Sequence, residues 1–277
     1  MPLKSTVLLL ALLSAGASAQ TEQGLQSQAR PYGLDIASPV YQRGSDAASV
    51  AYSATWYPTL RDYLDIGFLP GQDSPFIAYD PSNLTLTFDA DVRVYGAFSA
   101  ADHLNTLGYA TTGGSPESPG ARLIFPNAFL ADRGPKYDTP AAHGDFVKLG
   151  AVTAGSKLDF FLIADTISHE DDVSVDFGNG SHYVSTDRSL NSDGLSHAVA
   201  FAYPGSPYLY IAFEESLGTG DERNFRDLFI AIDMGAANIA NLAKAGAVAA
   251  PEPTLAASGL LTGVFMLGLS RRRQIRH

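Results

Sequence analysis

Between Tyr208 and Asp233 the chain reads YLYIAFEESLGTGDERNFRDLFIAID, two apolar runs around a stretch holding Glu214, Glu215, Asp221, Glu222 and Asp227. Carboxylates packed this closely repel one another unless water, an arginine or a cation answers them. Glu214, Glu215, Asp221, Asn224 and Asp227 offer only oxygen donors, as a hard cation requires, and calcium is the ion they would suit. Arg223 and Arg226 stand among the same residues, and guanidinium groups oppose a dication. A solvated hairpin tip whose acids are neutralised by these arginines is therefore the weightier of the two readings.

Other candidate chemistry is thinner. Ser168-His169-Glu170-Asp171-Asp172 is a second acidic cluster between two strand-like runs, which reads as an exposed loop. Ser189 to Gly194 partly mimics an EF-hand opening, but Ala200 falls where a bidentate glutamate is needed. His103, His143, His169, His182, His197 and His277 form no H-E-x-x-H or H-x-H arrangement, and no G-x-S-x-G elbow occurs. Gly218-Thr219-Gly220 lacks the third glycine of a dinucleotide loop and reads as a turn. No catalytic constellation is recognisable, so a non-enzyme is expected. Two readings stay open toward sugars: paired carboxylates on facing strands would suit glycoside cleavage, and a strand face carrying Tyr208 and Tyr210 would either stack on sugar rings or pack across strands.

The elements that must position these residues are strands. Leu84, Leu86 and Phe88 alternate with polar residues, and Val92, Val94 and Ala97 follow in a second run. Further apolar runs are Ala121 to Phe125, Phe146 to Leu149, Leu158 to Ala164, Val173 to Phe177, His197 to Tyr203, Tyr208 to Phe213 and Leu228 to Asp233, separated by Gly, Pro and Ser clusters. Roughly nine short strands with short links predict an all-β, antiparallel β-sandwich of jelly-roll-like form. Thr55-Trp56-Tyr57-Pro58 followed by Leu60, Tyr63, Leu64 and Ile66 keeps a helical spacing that fits either one short helix or a covering loop. Residues 20–53 read as a flexible or irregular lead-in, 54–235 as the sandwich body, and 236–250 as an Ala-rich spacer, Ala236 to Ala245 being the part that would extend into a short helix.

With 277 residues, 45% of them hydrophobic, the chain has material for a real core. Five of its 18 Lys and Arg lie at the two ends, so the body carries 13 against 29 acids, a charge near −16. Nucleic acid is excluded as a partner on that balance. The chain has no cysteine, hence no disulfide, thiolate metal site or cysteine nucleophile.

Both ends carry targeting patterns. Residues 1–19 have Lys4, an apolar run from Val7 to Leu13 and the exit Ala17-Ser18-Ala19 before Gln20, the form of a secretory signal cut by signal peptidase. At the other end Pro251-Glu252-Pro253 precedes the apolar run Leu255 to Leu269 and then Arg271, Arg272, Arg273 and Arg276. Fifteen helical residues span roughly 22 Å, short of a hydrocarbon core of about 30 Å. The arginines would stay cytoplasmic and leave the body outside. In this order of parts, residues 251–277 closely resemble the PEP-CTERM sorting signal of Gram-negative bacteria. The resemblance implies transient anchoring in the inner membrane and processing by an exosortase at or near the Pro-Glu-Pro motif.

The body, from about Val92 to Asp233, resembles the exported-protein family called domain of unknown function 4114. The carrying segments are Leu104 to Tyr109, Leu158 to Ala164 and Ser189 to His197, leading into Gly220-Asp221, Phe225 and Asp227. Asn224 and Arg226 stand where that family shows an aspartate and an asparagine. Together these features predict an exported cell-surface or extracellular-matrix protein with a structural or adhesive role, set among exopolysaccharide; a glycan-binding or glycan-cleaving module is the alternative.

Overall fold

The computed structural model describes residues 26–64, 75–101, 103–128, 141–170, 174–218 and 224–245. Its strands in chain order are β1 (Val40–Tyr41), β2 (Ile77–Tyr79), β3 (Ala90–Phe98), β4 (Leu104–Ala110), β5 (Arg122–Phe125), β6 (Phe146–Val152), β7 (Asp159–Glu170), β8 (Ser174–Phe177), β9 (His182–Ser185), β10 (Ala198–Ala202), β11 (Tyr208–Phe213) and β12 (Leu228–Asp233). They form two antiparallel sheets. The larger runs β1-β6-β3-β12-β11-β10-β2, and the smaller runs β5-β4-β7 with β8 and β9 both on the far side of β7. Ile167 pairs with Phe177 and Ala164 with His182, so β8 and β9 are two halves of one edge strand. They part where Asp165 takes a left-handed φ of 56° within β7, the signature of a local bulge.

The two sheets share one core. Val94, Leu209, Ile211, Ile230 and Ile232 of the larger sheet pack with Leu107, Phe125, Phe160 and Leu162 of the smaller. Successive residues of a strand point to opposite faces, so the intervening Tyr95, Phe146, Phe201, Tyr208, Tyr210 and Phe229 build a second, aromatic layer on the outer face of the larger sheet. β11 is buried at every position. A strand covered on both faces loses its polar alternation and reads as a continuous apolar run, which is how the sequence presents it.

The N-terminal part of the chain covers both sheets. Helices α1 (Ala47–Ala51) and α2 (Tyr57–Leu64), joined by a π-helical turn over Tyr52–Trp56, lay Tyr52 and Leu60 on the aromatic layer. The Tyr52 ring stacks on Tyr95 at 4.2 Å and tilts against Tyr208 at 5.1 Å. Asp46 starts α1 with a capping box to Ser49, and its other oxygen lies 2.7 Å from Arg93 on β3. Upstream, Tyr32 and Leu34 lie on Phe161 and Ile163, on the outer face of the smaller sheet. There Ala37 donates to Leu123 O at 2.7 Å and Leu123 to Asp35 O at 2.9 Å, so this strap occupies the free edge of β5.

Several sequence expectations change. Residues 26–53, expected as an irregular lead-in, hold the strap, β1 and α1, because their apolar residues have sheet faces to cover. Leu84 and Leu86 are buried as their alternation implies, but Thr85 makes only an isolated bridge to Lys157 and Phe88 is 49% exposed, so no strand forms there. Leu104–Ala110, outside the expected strand set, is β4. Ser168, His169 and Glu170 belong to β7, paired with β8, and not to a loop; Asp171 and Asp172 lie outside the described residues. Ala236–Ala245, expected as part of a spacer, is helix α3, with Ile239 and Leu242 in the shared core. Asn238, also buried, accepts from Thr87 and Phe88 N–H at 2.9 Å each and donates to Phe88 O and Met234 O. No helix among the described residues is long and apolar enough to cross a membrane. Ala17, Ala19, Pro251, Glu252, Pro253, Arg271, Arg272 and Arg273 lie outside those residues.

Candidate functional site

β11 and β12 pair in register from Tyr208–Asp233 to Phe213–Leu228, which brings Glu214 and Glu215 opposite Asp227 where the hairpin opens. Of the five proposed calcium ligands, Glu214, Glu215 and Asp227 meet there, Asn224 sits in the same loop, and Asp221 lies outside the described residues. Glu214 and Glu215 are buried at 4% and 6% exposure, a costly place for carboxylates unless their oxygens are hydrogen-bonded.

Each is. Glu214 accepts from the Ser216 N–H at 3.3 Å and from the Asn224 and Phe225 N–H groups at 3.2 and 3.3 Å. Phe225 reaches that position through a left-handed φ of 52°, with its ring buried. Glu215 holds His103 Nδ1 at 2.9 Å on one oxygen and the Asn105 side-chain amide on the other. Asp227 accepts from the Glu215 N–H at 2.6 Å. Burial first, then the neighbouring Glu214 and Glu215 carboxyls, push Asp227 up to about 7, and a hydrogen bond to Glu214 favours its protonated form.

Histidines from three other segments close around this loop. His197, fully buried, places Nδ1 3.0 Å from Glu214 O and Nε2 2.9 Å from Asp193 Oδ2. His182 of β9 places Nε2 2.6 Å from Glu215 O. Although burial opposes it, donation by Gly218 and Leu195 N–H and by His197 holds the Asp193 carboxyl well below its ordinary value. The tip is thus drawn toward both sheets by His197 and His182 on consecutive backbone carbonyls, and by His103 and Asn105 on the Glu215 side chain.

Arg226 does not answer the acids. Its guanidinium lies over the Phe98 ring at 5.8 Å, and among the described residues no ion pair joins it to Glu214, Glu215 or Asp227; Arg223 lies outside those residues. Nor do three His, Asp or Glu side chains converge on one point among the described residues in a way that would hold a metal. What engages the acids is a set of amide donors and histidines. Tyr208 and Tyr210, weighed as a sugar-stacking platform, are buried beneath Tyr52 and beside Phe201 and Phe76, so they pack rather than present their rings.

His103, Asn105, His182, Asp193 and His197 were not among the expected site residues. Their spacing has no motif, because the site is assembled from the start of β4, the start of β9 and the two loops before β10 and β12. Asp193-Gly194 does carry a local signal, an aspartate accepting from the N–H two residues on. Compared with known proteins, the chain matches no family model, no curated protein and no solved structure.

Proposed function

We propose that this is an exported bacterial cell-surface or matrix protein, sorted by an exosortase, with a structural or adhesive and non-catalytic body. The observation that carries this reading is the order of Pro251-Glu252-Pro253, the apolar run Leu255 to Leu269 and the arginine cluster Arg271 to Arg273. A span this short is a marginal anchor by length, which suits a segment held in the inner membrane only until it is processed. Signal peptidase would act after Ala19 and the exosortase at or near the Pro-Glu-Pro motif, with exopolysaccharide as the surrounding matrix.

The body supports a structural role in two ways. The outer faces of its sheets are overlaid by the chain's own α1–α2 segment and strap, and the carboxylates of its most acidic loop are engaged by internal donors. Without cysteines the fold must hold by packing alone, and the two-sided burial of β11 answers that need. The chain's repeated passage between sheets, from β3 to β4, β6 to β7 and β9 to β10, supports the jelly-roll-like form.

The test is the covalent state of the protein recovered from the producing cell. A surface or matrix form that begins near Gln20 and has lost the residues following Pro253 is expected from N-terminal sequencing and intact mass. Recovery of the whole chain from the cytoplasm, with both ends attached, would overturn the reading.

A further inference from the structure

Asn179 is the one asparagine in the chain followed by glycine, and it lies on the surface between β8 and β9. Its side-chain oxygen accepts the Tyr32 N–H at 2.6 Å, a polar bond between the strap and the smaller sheet. Gly178 and Ser181 donate to Thr166 O and Ala164 O on either side of the β7 bulge, whereas the Gly180 N–H bonds to no other described residue. Gly180 has a φ of +76°, and a Cβ there would collide with Ala164 O and Ile163, so no side chain can be placed at 180 to shield the amide.

From this geometry we infer that Asn179-Gly180 is a site of spontaneous deamidation, and that the reaction unlatches the N-terminal strap. The Gly180 nitrogen, once deprotonated, attacks Asn179 Cγ. The N–Cγ bond forms, the Cγ–Nδ2 bond breaks and Nδ2 leaves as ammonia after taking a proton from water. Water then opens the cyclic imide at either carbonyl, giving aspartate or isoaspartate. The oxyanion that develops on Oδ1 is the atom to which Tyr32 donates, and a fixed backbone N–H at that distance is the arrangement that stabilises such charge. Tyr32 therefore assists the reaction that ends its own bond.

Isoaspartate carries the main chain through Cβ and Cγ, adding one backbone atom between Gly178 and Ser181. Those two residues are held in register by β7 on both sides of the bulge, so the insertion costs the Ser181 bond and moves the acceptor away from Tyr32. Tyr32 and Leu34 then lose their anchor over Phe161, Ile163 and Tyr183. The chain contains a natural contrast in Asp193-Gly194. There the carboxylate is held ionised by Gly218, Leu195 and His197, and an ionised carboxylate does not cyclise, so Asp193 persists.

The experiment ages the purified full chain in mildly alkaline buffer, separates converted from intact molecules by anion exchange, and maps both by peptide mass and isoaspartyl methyltransferase labelling. Conversion at Asn179 before any other asparagine is expected, with amide exchange over residues 26–37 markedly faster in the converted fraction. The Asn179→Gln chain, whose longer side chain cyclises far more slowly, is expected to keep its starting exchange rate throughout, whatever that rate is. Asn179 remaining intact in the folded chain while the urea-unfolded chain converts would overturn the site. Equal exchange of residues 26–37 in the converted and intact fractions would overturn the unlatching.

Discussion

The backbone N–H of Glu215 donates to the Asp227 carboxylate across 2.6 Å, and that bond ties the two ends of the acidic loop together from inside. Because burial and the Glu214 and Glu215 carboxyls raise Asp227 from an ordinary 3.8 to about 7, the folded chain keeps a proton there that the unfolded chain gives up near pH 4. A raised pKa contributes stability that is fully present below about pH 4 and lost as pH rises through about 7. Urea midpoints of the wild type should therefore fall between pH 5 and pH 8. Asp227→Asn, which can still accept from Glu215 and donate to Glu214, should be more stable than wild type at pH 8, with the difference shrinking as pH falls and vanishing only below about pH 4. A variant less stable than wild type at pH 8 would contradict the raised Asp227 carboxyl.

Calcium has little to gain at this loop. Glu214 already accepts three amide protons and Glu215 is held by His103 and Asn105, so an ion would have to displace donors placed by the fold. Thermal transitions in excess calcium and in excess chelator should coincide. A rise in Tm with calcium would restore Glu214, Glu215, Asp221, Asn224 and Asp227 as ligands.

The helical cover is fastened through Asp46, which caps α1 and pairs with Arg93 and Lys148. Asp46→Ala removes cap and ion pairs together and should cost about 1–2 kcal/mol. Asp46→Asn keeps the cap and should cost about 0.5 kcal/mol. Urea denaturation followed by the fluorescence of Trp56, which lies against Tyr208 at 5.9 Å, reads both. Equal losses in the two variants would assign the fastening to charge alone.

Asn238 joins α3 to the Thr87–Phe88 segment through four hydrogen bonds in a buried site. Asn238→Ala leaves those amides and carbonyls without partners and should cost about 2–3 kcal/mol in urea denaturation. A loss below about 0.5 kcal/mol would be the surface response expected of a true spacer.

The hairpin was legible because its two strands are apolar throughout and its loop is not. The inter-sheet core was legible where one face is polar, as at Val92 and Val94. β4 escaped because its Leu104–Ala110 run is buried on both faces and includes Gly108, which lies against the Phe161 ring with no room for a Cβ; glycine inside a run weakens a strand reading. α3 escaped because alanine-rich sequence is equally good spacer and helix until Ile239 and Leu242 find a core to enter. The site was half legible. Acid density marked Glu214, Glu215 and Asp227, but nothing in the spacing of His103, His182 and His197 shows that three distant histidines close on two consecutive glutamates.

Sorting through the last twenty-seven residues is tested most directly by fractionating cells that produce either wild type or the Pro251→Ala/Pro253→Ala chain. A shortened wild-type protein at the surface or in the matrix is expected, with a full-length variant retained in the inner membrane. Identical size and location for the two chains would contradict it.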